Sequence, residues 1–138
     1  MKILREMVRS TVMGTDAIDN VMPYVEDKAL AALMSEQKRG MCELMEEAKR
    51  GLTREEIAEA EGGKLGKTML KASSKVNAML NNDASHIARM LIEGYEMGVV
   101  SLQKCVNEMQ KEHDEVPPSA KELLKLYDKN VRALRKFL

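Results

Sequence analysis

The sequence predicts an all-α protein with a single domain, residues 1–138, built as an antiparallel up-down bundle of four to five helices. Helix-forming residues dominate, whereas Val, Ile and Thr never alternate with polar residues as a half-buried strand requires. Residues that end helices divide the chain at Pro23, Gly51, Gly62-Gly63, Asn81-Asn82 and Pro117-Pro118. Long amphipathic helices joined by short connections pack as antiparallel neighbours that cross at about 20°.

The first two predicted helices each carry one apolar face. The first helix, over about 2–22, repeats Leu4, Thr11 and Ile18 seven residues apart, with Val8 and Thr15 beside them. The second, over about 26–51, ends in two basic residues and a glycine, which suit a helix C-terminus. Its apolar face has one polar member, Gln37, among Leu30, Leu33, Met41, Leu44 and Ala48.

The remaining helices are predicted from capping residues and apolar spacing. Thr53 begins a third helix, which Gly62-Gly63 breaks or kinks and which continues to residue 80 through Leu65, Met69, Ala72, Val76 and Met79. The fourth begins at Asn82 or Asp83 and fades near Glu115, about 32 residues and roughly 48 Å. Its predicted apolar face contains Ile87, Met90, Leu91, Gly94, Met97, Ser101 and Cys105. A fifth helix begins with Ser119 as its cap.

Composition narrows the possible partners. Lys plus Arg equal Asp plus Glu at 22 each, so no overall field attracts nucleic acid or anionic lipid. No apolar run approaches the roughly 20 residues that cross a bilayer, and no signal peptide is recognised. Cys42 and Cys105 stand alone in helical patterns, which predicts buried thiols in a reducing compartment. We therefore expect a cytoplasmic protein that binds neither nucleic acid nor membrane.

The fourth helix carries a family resemblance. The segment Ser85–Gly98, SHIARMLIEGYEMG, behind a helical hairpin, resembles uncharacterised bacterial ferritin-like four-helix bundles. Ferritin-like di-iron proteins take one Glu from each of two helices and Glu-x-x-His from each of the other two. Because this chain has no Glu-x-x-His, the resemblance implies the fold without a complete di-iron site.

Asp83, His86 and Glu36 are the nearest approach to a metal site in the sequence. Asp83 and His86 are three residues apart, which places both on one helix face, and Glu36 on the second helix could reach toward them. One carboxylate-histidine pair cannot hold two irons. The simpler interpretation is that Asp83 caps the fourth helix and that His86 is a polar residue in its first turn.

His86 also suits another chemistry. Histidine-containing phosphotransfer domains are four-helix bundles with an exposed histidine and a basic residue three positions later, a spacing that His86 and Arg89 match. An exposed imidazole would act as the nucleophile and the cation would offset phosphate charge. Met90 stands where that pattern has glycine, and His86 follows a helix break instead of lying mid-helix.

Gly94, Gly98 and Ser101 form a strip of small residues on the fourth helix where another backbone can approach closely. Tight packing within the fold is the simpler explanation, and a dimer or ligand surface is the other.

Methionine also suits either a core or a binding face. Of the twelve methionines, we place Met7, Met22, Met41, Met69, Met79, Met90 and Met97 in the core and Met13, Met34, Met45 and Met109 at its edge.

No motif identifies a reaction or a cofactor. The segment Gly62–Thr68 ends in Gly-Lys-Thr, but it lacks both the spacing and the preceding strand of a phosphate-binding loop. We therefore expect a non-enzymatic interaction or structural protein that self-associates, with an unknown protein as another possible partner. A ligand- or metal-binding bundle and a phosphotransfer domain using His86 are the alternatives.

Overall fold

The computed structural model describes residues 1–62 and 81–138. These residues form five α-helices: α1 (Lys2–Val21), α2 (Lys28–Arg50), α3 (Arg54–Ala60), α4 (Ala84–Lys111) and α5 (Pro118–Leu134). Short 3-10 turns, Met22–Tyr24 and Arg135–Phe137, follow α1 and α5. The described residues contain no strand, so the all-α prediction is confirmed.

Local chemistry explains where the helices begin. Asp27 Oδ1 accepts a hydrogen bond of 2.9 Å from the Leu30 amide and caps α2. Thr53 and Glu56 form a reciprocal capping box at the start of α3, as the position of Thr53 predicts. Asp83 occupies the capping position of α4, but its side chain makes no capping hydrogen bond. The predicted continuation of the third helix over 63–80 lies outside the described residues, as does most of the Gly62–Thr68 segment.

Four long helices pack around a common core. α1 contacts α2 and α4, and α5 contacts the same two helices from the opposite corner. α3 packs against α1. At one end, Lys2 Nζ is 2.9 Å from Glu108 Oε2. There Gly51 lies so close to Leu4 that a Cβ at this glycine would be 2.6 Å from Leu4 Cδ1.

The core combines apolar side chains with a few polar ones whose hydrogen bonds are made locally. Thr11 Oγ1 donates to the Met7 carbonyl oxygen at 2.7 Å, and Thr15 Oγ1 donates to that of Val12 at 3.2 Å. These bonds satisfy both hydroxyls inside the helix, so threonine is tolerated on the buried face of α1. The largest fully buried side chains include Ile3, Met7, Ile18, Leu30, Met34, Met41, Ile87, Leu102, Leu123, Tyr127 and Leu134.

The buried face of α4 differs from the predicted one. It follows Leu91, Tyr95, Leu102 and Val106, whereas Met97, which we placed in the core, is 66% exposed. Ile87, Leu91 and Cys105 are buried as predicted. The prediction was wrong for Gly94, Met97 and Ser101, which are exposed because they lie to one side of the face that meets α1 and α5. The prediction for Met34 was wrong in the opposite sense. We placed Met34 at the edge of the core, and its side chain is fully buried.

The cysteine prediction is only partly correct. Cys105 is buried as expected, and burial is the main reason that its pKa is raised. Cys42 is half-buried, because its position on α2 faces outward from the stripe of Leu30, Met34, Gln37, Met41 and Ala48. In the two described ranges, no helix is both long and apolar enough to cross a membrane.

Candidate functional site on the α4 face

An apolar groove of about 370 Å³ runs between α1 and α4. Methionines from both helices line it, with Met13 on the α1 side and Met90 and Met97 on the α4 side. Tyr95 and Tyr127 also contribute to its lining. Because thioether side chains adapt to irregular surfaces, such a groove suits contact with another apolar surface.

The two tyrosines at the groove are held by hydrogen bonds. Their ring centroids are 5.5 Å apart, with the planes tilted by 36°. The Tyr127 hydroxyl is hydrogen-bonded to the Ser10 hydroxyl, and the Tyr95 hydroxyl donates to Gln37 Oε1 at 2.8 Å. Burial raises the pKa of both tyrosines well above the usual value of 10.0. Both rings are therefore neutral near pH 7 and are held in place as parts of the groove wall.

Gln37 connects this wall to the other side of the bundle. Its Nε2 atom donates to the backbone carbonyl oxygen of Asn130 at 3.2 Å, so one buried amide links α2, α4 and α5. The Asn130 side-chain nitrogen is buried and has no hydrogen-bond partner among the described residues. The sequence singled out Gln37, but missed Tyr95 and Asn130. The spacing of Leu91, Tyr95 and Leu102 could have indicated the buried tyrosine.

The three small residues predicted at an interface do not share one role. A Cβ added at Gly98 would be 2.9 Å from Ser10 Oγ and 3.1 Å from Tyr127 Cε2, so Gly98 permits close packing within the fold. A Cβ at Gly94 would meet no atom within 4 Å, and both Gly94 and Ser101 are exposed. Only Gly94 and Ser101 are therefore open to a partner.

The outward side of α4 exposes large apolar side chains beside that groove. Met97 is 66% exposed and Val100 is 54% exposed, while Met13, across the groove, is 44% exposed. Glu93 and Lys104 flank the apolar pair and are also exposed. We call Glu93, Met97, Val100 and Lys104 the α4 face. Among the described residues, Met97 and Val100 are the only exposed large apolar side chains that lie one turn apart on the same helix.

The candidate metal ligands lie on different parts of the bundle. Glu36 is exposed on α2 and borders a second groove, between α2 and α5. Asp83 is exposed just before α4, and His86 is half-buried in its first turn. No three His, Cys, Asp or Glu side chains within the described ranges are grouped so as to hold a metal ion. Arg89 Nε lies 3.9 Å from Glu93 Oε1 in an exposed ion pair.

The chain matches no protein-family model, and neither a curated protein nor a solved structure is detectably similar to it. No relative therefore supplies an activity or a ligand.

Proposed function

We propose that this chain is a non-enzymatic bundle protein that acts by association, and that the α4 face is the surface with which it binds a second copy. The observation that carries the proposal is the exposure of Met97 and Val100 side by side at the centre of a long helix. Burying one such side chain contributes about 1.5–3 kcal/mol, which makes a partner on this face favourable.

We also infer a bundle order that resembles that of ferritin-like proteins. Support comes from the ends of the helices: Lys2 at the start of α1 pairs with Glu108 at the end of α4, and Ser119 at the start of α5 contacts Met7. Gly51, at the end of α2, packs on Leu4. In the proposed order α1 and α5 run one way, α2 and α4 the other. The connection after α2 then joins opposite ends, as in ferritin-like bundles with one long crossover.

The arrangement of titratable groups supports association over catalysis. Glu36 borders the α2/α5 groove, whereas Asp83 and His86 lie at the start of α4, which is diagonal to α2 in the proposed order. A phosphotransfer histidine needs to be fully accessible to its donor, and His86 is half-buried. A metal site of Glu36, Asp83 and His86 and a phosphotransfer role of His86 would therefore each require the helices to rearrange. Association through α4 requires no such rearrangement.

The α1/α4 groove favours a second candidate function, binding of an apolar small molecule. Its volume of about 370 Å³ lies in the range of ligand pockets, about 300–1,000 Å³. Native mass spectrometry of the purified protein tests this function directly. A bound molecule of constant mass that is lost in the Gly94→Phe variant would support ligand binding, whereas bare protein masses would contradict it.

Sedimentation equilibrium tests the association itself. One helix pair buries less than a standard interface, so we expect a dimer with a Kd of about 10–100 μM. Met97→Glu places a charge at the centre of the α4 face and should yield a monomer with unchanged helix content. Leu138→Glu is the matched control, because it alters another exposed apolar side chain that is not part of the α4 face. A wild-type monomer at 500 μM, roughly five times the weakest expected Kd, would refute the proposed function.

A further inference from the structure

The α4 face has the spacing of a helix-pairing seam. Glu93, Met97, Val100 and Lys104 follow one another at intervals of four, three and four residues, and all four side chains are exposed. This is the alternation of the two seam positions in a coiled coil, where each side chain packs between residues of the facing helix. A second helix laid along this face would therefore contact all four residues at once.

The charges at the two ends of the α4 face decide whether two copies of α4 pair parallel or antiparallel. The acidic residue is nearer the N-terminus of α4 and the basic residue nearer the C-terminus. A parallel pair in register would place Glu93 beside Glu93 of the partner subunit, which is unfavourable. An antiparallel pair centred between residues 98 and 99 places Glu93 beside Lys104 of the partner subunit. By symmetry the opposite pair forms as well, so the face is complementary to itself.

The apolar centre fits the same register. In the antiparallel pair, Met97 lies beside Val100 of the partner subunit, and the symmetry-related contact repeats it. On the side of α4 toward the groove, Gly94 lies close to Ser101 of the partner subunit. Because nothing within 4 Å surrounds the missing Cβ of Gly94, this edge leaves room for the second helix to approach closely.

The charged residues are available for such pairing. Glu93 is 67% exposed, and its contact with Arg89 on the same helix is long at 3.9 Å. Such an exposed pair within a helix contributes little and does not compete strongly. Lys104 is exposed and forms no ion pair with residues 1–62 or 81–138.

We propose that two copies of this chain pair antiparallel through α4, with Met97 against Val100 at the centre and Glu93 against Lys104 at each end. This inference rests on the proposed function, which takes a second copy as the partner, and it adds the direction and register of the pairing. The pairing is isologous and therefore closes at two copies.

Exchange of the two charges tests the register. Glu93→Lys places lysine against lysine twice per dimer, and Lys104→Glu places glutamate against glutamate twice. Each variant should raise the dimer Kd about tenfold in sedimentation equilibrium at low salt. The double variant, with both exchanges in one chain, restores two opposite-charge pairs and should return Kd to within about twofold of wild type.

A mixture of the two single variants gives a second readout. Chains carrying Glu93→Lys and chains carrying Lys104→Glu complement each other at both ends, so the mixture should form heterodimers at concentrations where each variant alone is mostly monomeric. Uniform 15N labelling of one variant lets native mass spectrometry distinguish the two chains, because lysine and glutamate residues are almost equal in mass. Glu122→Lys and Lys121→Glu, both exposed on α5, are the charge-matched controls and should leave Kd unchanged.

The outcomes separate the register from the function. If wild type dimerises and Met97→Glu dissociates it, but the charge exchanges have no effect, the antiparallel register is refuted while association through α4 stands. Failure of the mixed variants to form heterodimers would refute the register in the same way. A wild-type monomer would refute the proposed function and this inference together.

Discussion

The Tyr95 hydroxyl on α4 donates a hydrogen bond to Gln37 Oε1 on α2, 2.8 Å away across the interior of the bundle. Both side chains are at least 96% buried. A buried polar group that loses its partner costs about 1–3 kcal/mol, so rotating either helix out of register is penalised. Apolar packing alone would set the relative rotation of these helices less sharply.

We expect the Gln37 and Tyr95 side chains to be energetically coupled. Tyr95→Phe leaves Gln37 Oε1 without its donor and should lower the free energy of unfolding by about 1–2 kcal/mol. Gln37→Leu leaves the tyrosine hydroxyl unpaired and should cost about 2–3 kcal/mol. The double variant should be less destabilised than the sum by about 1 kcal/mol. Urea unfolding of the four proteins measures this difference.

Tyr24→Phe is the control for that cycle. The Tyr24 hydroxyl joins no hydrogen bond within the described ranges, so its removal should change stability by less than about 0.5 kcal/mol. Strict additivity of Tyr95→Phe and Gln37→Leu would mean that the hydrogen bond between them contributes nothing.

Gly98 and Gly94 should respond oppositely to alanine. A methyl group at Gly98 would collide with the buried Tyr127 ring and with the Ser10 hydroxyl that is hydrogen-bonded to Tyr127. Alanine is the better helix former, but the collision costs more, so Gly98→Ala should lower the free energy of unfolding by about 1 kcal/mol in total. Gly94→Ala meets open space and should stabilise by about 0.5–1 kcal/mol. Thermal unfolding below 5 μM, about half the lowest expected Kd, separates these effects from association. Equal shifts in both variants would contradict the packing at Gly98.

Stability should fall at alkaline pH. Burial raises the pKa of Tyr95 and Tyr127 above the usual value, so the folded chain keeps protons that the unfolded chain releases near pH 10. Above that pH the unfolded state binds fewer protons, and the free energy of unfolding decreases by up to about 1.4 kcal/mol per pH unit for each tyrosine. Below about pH 10 this contribution is fully present.

Urea unfolding between pH 8 and 11 measures that decline. Lysine ion pairs such as Lys38 with Asp19 titrate in the same range, so the double variant Tyr95→Phe, Tyr127→Phe provides the comparison. Its stability should fall less steeply with pH than that of wild type. Identical slopes would show that the tyrosines ionise without unfolding.

The two cysteines should differ in reactivity. Cys105 is buried and its pKa is raised, chiefly by burial, which reduces the reactive thiolate. Cys42 is half-buried on α2 and is open to reagents. In a disulfide-exchange assay at pH 8, we expect Cys42 to react at least about tenfold faster. The variants Cys42→Ser and Cys105→Ser assign the two rates, and a faster Cys105 would contradict its burial.

Much of the fold could be predicted because the information is local. Asp27 and Thr53 accept hydrogen bonds from the backbone of the next few residues, which makes such helix starts recognisable in sequence. Pro118 takes the first position of α5, where no N–H is needed, and Ser119, which we predicted as the cap, is the second residue of that helix. The buried face of α1 was also evident, since Val8, Thr11, Thr15 and Ile18 are buried as predicted and Leu4 is half-buried. The absence of an alternating pattern determined the all-α class.

The candidate surface could not be predicted, because it depends on how α4 is rotated against its neighbours. Met97 and Leu91 are equally apolar in the sequence, and only the contacts with α1 and α5 decide that one faces solvent and the other the core. Gly94 and Gly98 are likewise identical residues one turn apart, but only Gly98 meets the Tyr127 ring.

The sequence by itself determined the all-α class and the approximate boundaries of α1, α2 and α4, because these follow from interactions within a few residues. The tertiary structure alone decided which apolar residues remain outside, because burial depends on the shapes and positions of several helices at once. The hydrogen bonds that join Gln37 with Tyr95 and with Asn130 help to fix those positions, which leave Met97 and Val100 on the surface.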